Sequence, residues 1–188
     1  MKLKALCLGM GMLCSLSSFA ATQLRYGLEA EYPPFESRNA SGELEGFDID
    51  LGKAICKAAE LKCSWVETSF DALIPGLTAK KYDAINSAMN ITDQRRQSID
   101  FTQPIYRIPS QLVGKAGDGM EATAEGLKGK TIGVLQGSIQ ETYAKEHWEK
   151  HGVNVVSYKD QNMAWSDMLH GRIDASLVMS ADGTAWLR

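Results

Sequence analysis

The sequence predicts an α/β fold built as two lobes, and three observations carry that prediction. Strand-like and helix-like segments alternate from Leu24 onward. A helical stripe of Leu51, Ile55 and Ala58 follows two acids, Asp48 and Asp50, suited to a helix start. The alternation then begins afresh after an extended stretch near residues 106–111.

The amino-terminus stands apart. Lys2 and Lys4 precede the apolar run "ALCLGMGMLCSL", which is too short to span a bilayer, and "SFA" before Ala21 supplies the small residues of a signal-peptidase site. Residues 1–20 therefore read as a secretory signal. "GML" before Cys14 lacks the small residue expected beside a lipidated cysteine.

The first lobe, residues 21–108, opens with the strand "LRYGL", followed by the helix "FDIDLGKAICKAAEL" and the strand "KCSWVET". A short helix in "FDALIPGLTAK", started or kinked near Pro75, leads to a third strand in "YDAINSAM". The second lobe, residues 109–188, has strands in "SQLVGKA" and "KTIGVLQ", a helix in "SIQETYAKEHWEKHG", a strand in "VNVVSY", a helix in "NMAWSDMLHGR" and a strand in "IDASLVM". "GDGMEATAEGLKGK" reads as a surface excursion with a short helical turn.

Without residues 1–20 the chain has 168 residues and loses Lys2 and Lys4, so 18 basic residues face 23 acids, a net charge of −5. That balance argues against nucleic acid, and nothing past the signal is a basic run or a second hydrophobic span. Cys56 and Cys63 are the cysteines left. An even count in an exported chain reads as one disulfide in an oxidising compartment, and their spacing fits neither a CxxC redox pair nor a zinc site.

Several positions carry chemistry. Glu29 and Tyr32, in "GLEAEYPPFES", follow the first strand, where ligands meet α/β sheets, although an ordinary turn with a solvated acid fits equally. Phe70 is either core or a platform that, with Tyr32, sandwiches a ligand chain. Thr92 is a helix N-cap, yet Arg95 and Arg96 follow where the helix dipole favours acids. Arginine's planar fork suits a carboxylate, so the pair is either an anion site or two solvated side chains. Ser138, at the head of a helix after Gly137, is either a plain N-cap or an anion reader; the glycine pattern is not a phosphate loop. His147 and His151 lack a third ligand and the zincin order, so no metal site is expected. No nucleophile–base grouping stands out, and no cofactor motif appears.

Together, "YPPF", "GFDIDLGKAI", "SFDALIPGLTAKKYDAI", "ITDQRRQSIDFTQPIY" and "GKTIGVLQGS" resemble the periplasmic amino-acid-binding proteins of ABC importers, most of all the lysine/arginine/ornithine and histidine binders. The resemblance implies a type II periplasmic binding protein: a monomer that binds a basic amino acid or opine in the cleft and delivers it to membrane permease subunits. Arg95 would clamp the ligand carboxylate, helped by Asn90 and the backbone at Ser138 and Ile139. Tyr32 and Phe70 would pack on the ligand side chain, Glu29 would face its cationic end, and Ser87 and Ala88 would line the first-lobe wall. Arg96 would be left to solvent.

The chain departs from the family pattern in places. The family has serine where Ala88 and Asn90 stand, a small hydroxyl residue where Ile139 stands, and an aspartate where Met179 stands. Family members also continue beyond the position of Arg188, so the second lobe is expected to be incomplete. Two other readings follow: a dehydratase-type enzyme on the same fold, with Glu29 and Asp182 as its available acids, and a fragment that binds nothing.

Overall fold

A computed structural model describes residues 22–187, so the signal reading for residues 1–20 lies outside the described residues. The first sheet has order β4-β1-β5, with β1 Gln23–Leu28 parallel to both β4 Lys62–Glu67 and β5 Ala84–Ile85. The second has order β6-β9-β7-β8. There β7 Thr131–Leu135 lies parallel to β8 Asn154–Tyr158 and β9 Ala175–Met179, while β6 Ser110–Gly114 runs antiparallel to β9.

Helix α1 Phe47–Ala58 starts where the two acids predict. Gly46 precedes it at φ 124°, and a Cβ there would strike the Phe35 backbone, so the turn requires glycine. A 3₁₀ turn at Phe70–Ala72 leads into α2 Leu73–Thr78, which holds Pro75 in its first turn, where the missing N–H costs no helical bond. The Cys56–Cys63 disulfide joins the end of α1 to β4, with Cα atoms 6.1 Å apart.

Four differences from the sequence reading have local causes. The third strand, expected over residues 82–89, pairs only at Ala84–Ile85. Ala88 takes φ 43°, outside strand geometry, and Tyr82 is wholly buried with its hydroxyl donating to the Leu73 carbonyl oxygen at 2.5 Å. The helix expected over residues 138–152 is α4 Ile139–His147 followed by a 3₁₀ turn, because Trp148 turns into the core. A small hairpin, β2 Ser37–Arg38 with β3 Leu44–Glu45, fills the loop before α1. Last, α6 Ser180–Trp186 follows β9, where no helix was expected, and Trp186 stacks on Trp165 of α5 Gln161–Leu169 at 4.5 Å.

The second sheet has apolar packing on both faces, one around Trp148 and Leu177, the other around Trp165 and Val178. A further cluster joins the two sheets: Tyr32, Phe35, Phe70 and Ala88 from the first side pack with Leu135 and Met179 from the second. This junction contains three of the positions singled out from sequence, Tyr32, Phe70 and Ala88.

Candidate functional site

The site grows from the ends of β1 and β5. Where β1 ends, Glu29 is buried, and its N–H donates to Ser87 Oγ at 3.0 Å. Ser87, just past β5, donates in turn to Glu36 Oε1 at 2.7 Å. Glu36 is itself buried and faces Asp48, whose carboxylate accepts the Ala88 N–H at 2.7 Å and the Tyr106 hydroxyl at 3.2 Å. The left-handed turn at Ala88 is thus pinned by Asp48, which also holds the extended crossing at Tyr106.

Burial dominates the electrostatics. It pushes Glu29 up to about 8, with the neighbouring Glu31, Asp160 and Asp182 adding to the rise. Glu36 is raised well above the carboxylate range by burial and by Asp48. Glu29 keeps one oxygen, Oε2, without a partner among the described residues.

Tyr32 stacks on Phe35 with ring centroids 6.0 Å apart, and its hydroxyl accepts the Met179 N–H at 3.3 Å. Phe70 lies in the junction cluster with the Arg95 guanidinium 5.5 Å over its ring. Phe70 is thus part of the core, and its ring face is covered by the chain's own Arg95.

Thr92 caps α3 Asp93–Arg96, its Oγ1 accepting the Arg95 N–H at 3.2 Å. Arg95 is half-buried and Arg96 exposed. Arg95 Nη1 donates to the Asn90 carbonyl oxygen at 2.7 Å, and Nη2 crosses to the Gly137 carbonyl oxygen at 2.8 Å. Arg96 turns away and lies 5.6 Å over Phe101. Arg95 therefore bridges the two sheets, with its fork on neutral carbonyls, weaker partners than a carboxylate would be.

Ser138 caps α4: its Oγ accepts the Glu141 N–H at 3.1 Å, while Glu141 Oε2 accepts the Gly137 N–H at 2.6 Å. The hydroxyl considered as an anion reader is thus engaged in the cap. Gly137 has φ 77°, and a Cβ there would stand 2.9 Å from the Asp71 Cα, so α4 approaches the first unit as closely as only glycine allows.

Two grooves flank these residues. One, of about 900 Å³, is lined by Arg95, Ser138 and Ile139 together with Thr92 and Ser110. The other, of about 1070 Å³, is lined by Ser87, Ala88, Asn90, Ile139 and Met179. Ile139 borders both, whereas Glu29, Tyr32 and Phe70 border neither and are buried. The sequence reading passed over Glu36 and Tyr106 and took Asp48 only as a helix-start acid. An acid following an aromatic, as in "PFE", signals burial only once the neighbouring turn is known.

Two α/β units, one on a parallel and one on a mixed sheet, meeting at a junction that holds one bridging arginine and several buried carboxyls define a two-lobed ligand-binding α/β protein. The chain belongs to the bacterial extracellular solute-binding proteins, family 3, whose model matches residues 24–184. It is 48% identical over 175 residues to the lysine/arginine/ornithine-binding periplasmic protein of Escherichia coli K12, covering 92% of this chain and 67% of that one. It is 47% identical over 180 residues to the histidine-binding periplasmic protein of the same organism, covering 93% and 69%. Among solved structures, an ancestral arginine-binding protein bound to arginine aligns with a TM-score of 0.85 at 36% identity, covering 88% of this chain and 73% of the other. These relatives are named as binding proteins, and the chain spans about two thirds of the length of the two curated ones.

Proposed function

We propose that this chain is the periplasmic solute-binding component of an amino-acid ABC importer, taking a basic amino acid or a related opine and delivering it to membrane permease subunits. The observation that carries the reading is Arg95, half-buried between the two sheets with its fork on backbone carbonyls of both. A ligand carboxylate is a stronger partner for that fork than either carbonyl. Residues 21–108 and 109–188 act as the two lobes, and the crossing at 106–111 serves as hinge. The ligand touches both lobes, so binding shifts the hinge equilibrium toward the closed form that the permease recognises.

In this reading Arg95 holds the carboxylate with Asn90, Ser138 and Ile139 beside it. Tyr32 and Phe70 pack on the ligand's side chain, Glu29 faces its cationic end, and Ser87 and Ala88 form the first-lobe wall. The chain acts as a monomer and makes or breaks no bond. Calorimetric titration with lysine, arginine, ornithine, histidine and opines tests it: binding of one of them at micromolar concentration or tighter supports the reading, and silence with all of them refutes it.

One observation favours a second reading, a dehydratase-type enzyme. Glu29 and Asp182, the two acids that such chemistry would use, both have their carboxyls raised toward neutrality, where a general acid or base works best. Turnover of a small carboxylic acid by the purified protein, abolished by Glu29→Gln, would establish it.

A further inference from the structure

Asp182 is the most isolated charge-bearing group among the described residues. It sits in the first turn of α6, 0% exposed, and neither of its carboxylate oxygens has a hydrogen-bond partner there. No lysine, arginine or histidine forms an ion pair with it among the described residues. Its helix is held close against the second sheet: at Gly183 a Cβ would already lie 2.8 Å from Val113 Cγ2. The carboxyl therefore cannot turn out to water without moving the helix.

The helix that carries Asp182 meets the opposite unit at its head: Met179, the N-cap of α6, donates its N–H to the Tyr32 hydroxyl at 3.3 Å. The Asp182 charge raises both the Tyr32 hydroxyl and the Glu29 carboxyl, so the three groups share one low-dielectric region at the junction. Burial alone holds Asp182 up to about 7. Glu29 Oε2 is also without a partner among the described residues. Among the described residues these two buried carboxyls have three open oxygens and no ion-paired cation, an acceptor set that lacks its donor. An ammonium or guanidinium supplies the missing N–H groups and the opposite charge at once.

We propose that Asp182 receives a cationic amine or guanidinium of the bound ligand, as a second acidic contact reaching from the α6 side toward Glu29. The assignment rests on the ligand-binding reading above. The ligand class this selects carries positive charge away from the carboxylate that Arg95 would hold.

The test uses Asp182→Asn, which keeps the shape and removes the charge, with Asp182→Ala in reserve should the amide variant fail to fold. Two readouts are needed. Thermal unfolding without ligand at about pH 8 should show the variant melting higher than wild type, because a buried charge with no partner has been removed. A fall in melting temperature would reveal an internal partner and a purely structural role, and would overturn the proposal.

Calorimetry with L-lysine and L-arginine should show affinity at least about tenfold weaker in the variant, the effect of losing one charge-assisted contact. Affinity within about twofold of wild type would also overturn the assignment. That outcome would leave the transport reading intact wherever wild type binds and Arg95→Ala binds at least about tenfold more weakly. Wild type silent toward lysine, arginine, ornithine and histidine is a different failure: it removes the ligand-binding reading itself, and this proposal with it.

Discussion

The guanidinium of Arg95 donates to the carbonyl oxygen of Gly137 at 2.8 Å, joining the exit of the first sheet to the head of α4. Its other contact, to the Asn90 carbonyl oxygen at 2.7 Å, belongs to its own side of the junction. One side chain thus senses the separation of the two units, while its neighbour Arg96 only covers Phe101.

The two arginines should therefore behave unequally. Arg95→Ala is expected to weaken amino-acid binding by about 1.5 to 3 kcal/mol, roughly 10- to 100-fold, the range for a hydrogen bond to a charged group. Arg96→Ala should leave affinity within about twofold. Titration of both variants against the same ligand checks this, and equal losses would remove the distinction.

Glu29 makes the protein sensitive to pH. Its folded value of about 8 lies above the usual 4.5, so over that interval the folded chain holds a proton that the unfolded chain releases. Its contribution is fully favourable below about 4.5 and is lost as the pH rises through about 8. The other groups facing this region are Glu31, Tyr32, Asp160, Asp182 and Glu36. Glu29→Gln should flatten the melting temperature between about pH 5 and pH 8 and raise it by a few degrees at the upper end. Melting curves in a pH series that run parallel for both proteins would contradict this.

Gly137→Ala probes how closely α4 approaches the first unit. The new methyl group would sit 2.9 Å from the Asp71 Cα on a residue with φ 77°. Strain of about 1 kcal/mol or more is expected, with ligand affinity falling about fivefold or more as the units are pushed apart. Small-angle scattering should show a larger radius of gyration; unchanged scattering and affinity together would show that the junction absorbs the methyl group.

The disulfide closes a short loop, with a sequence separation of 7 between Cys56 and Cys63. Replacing both with serine should cost about 2 to 3 kcal/mol, lowering the melting temperature by about 5 to 10 °C. Ligand affinity should hold, because the bond ties α1 to β4 and neither cysteine borders the two grooves. Melting and titration of the double variant decide both parts.

Much of the fold was legible because its signals are local. The stripe of α1, the Thr92 cap, the Ser138 start of α4 and the βαβ alternation all arise within a few residues of sequence. The short β5 was not, because Ala88 is turned by a carboxylate 40 positions away. Nor was α6: "SADGTAW" has weak propensity, and the helix is held by packing of Gly183 against Val113 and of Trp186 against Trp165.

By itself, the sequence determined the α/β class, the family, the cysteine pair and the oddity of two arginines in the first turn of a helix. It could not separate the arginines, because neighbours on one turn differ only in what lies beyond the helix. Tertiary structure set Arg95 between the sheets and Arg96 over Phe101. It also decided which acids matter: Glu29, Glu36, Asp48 and Asp182 resemble solvated acids in sequence, and only packing removes their water. A carboxyl's chemistry follows from its desolvation, and desolvation is set by neighbours distant in the chain.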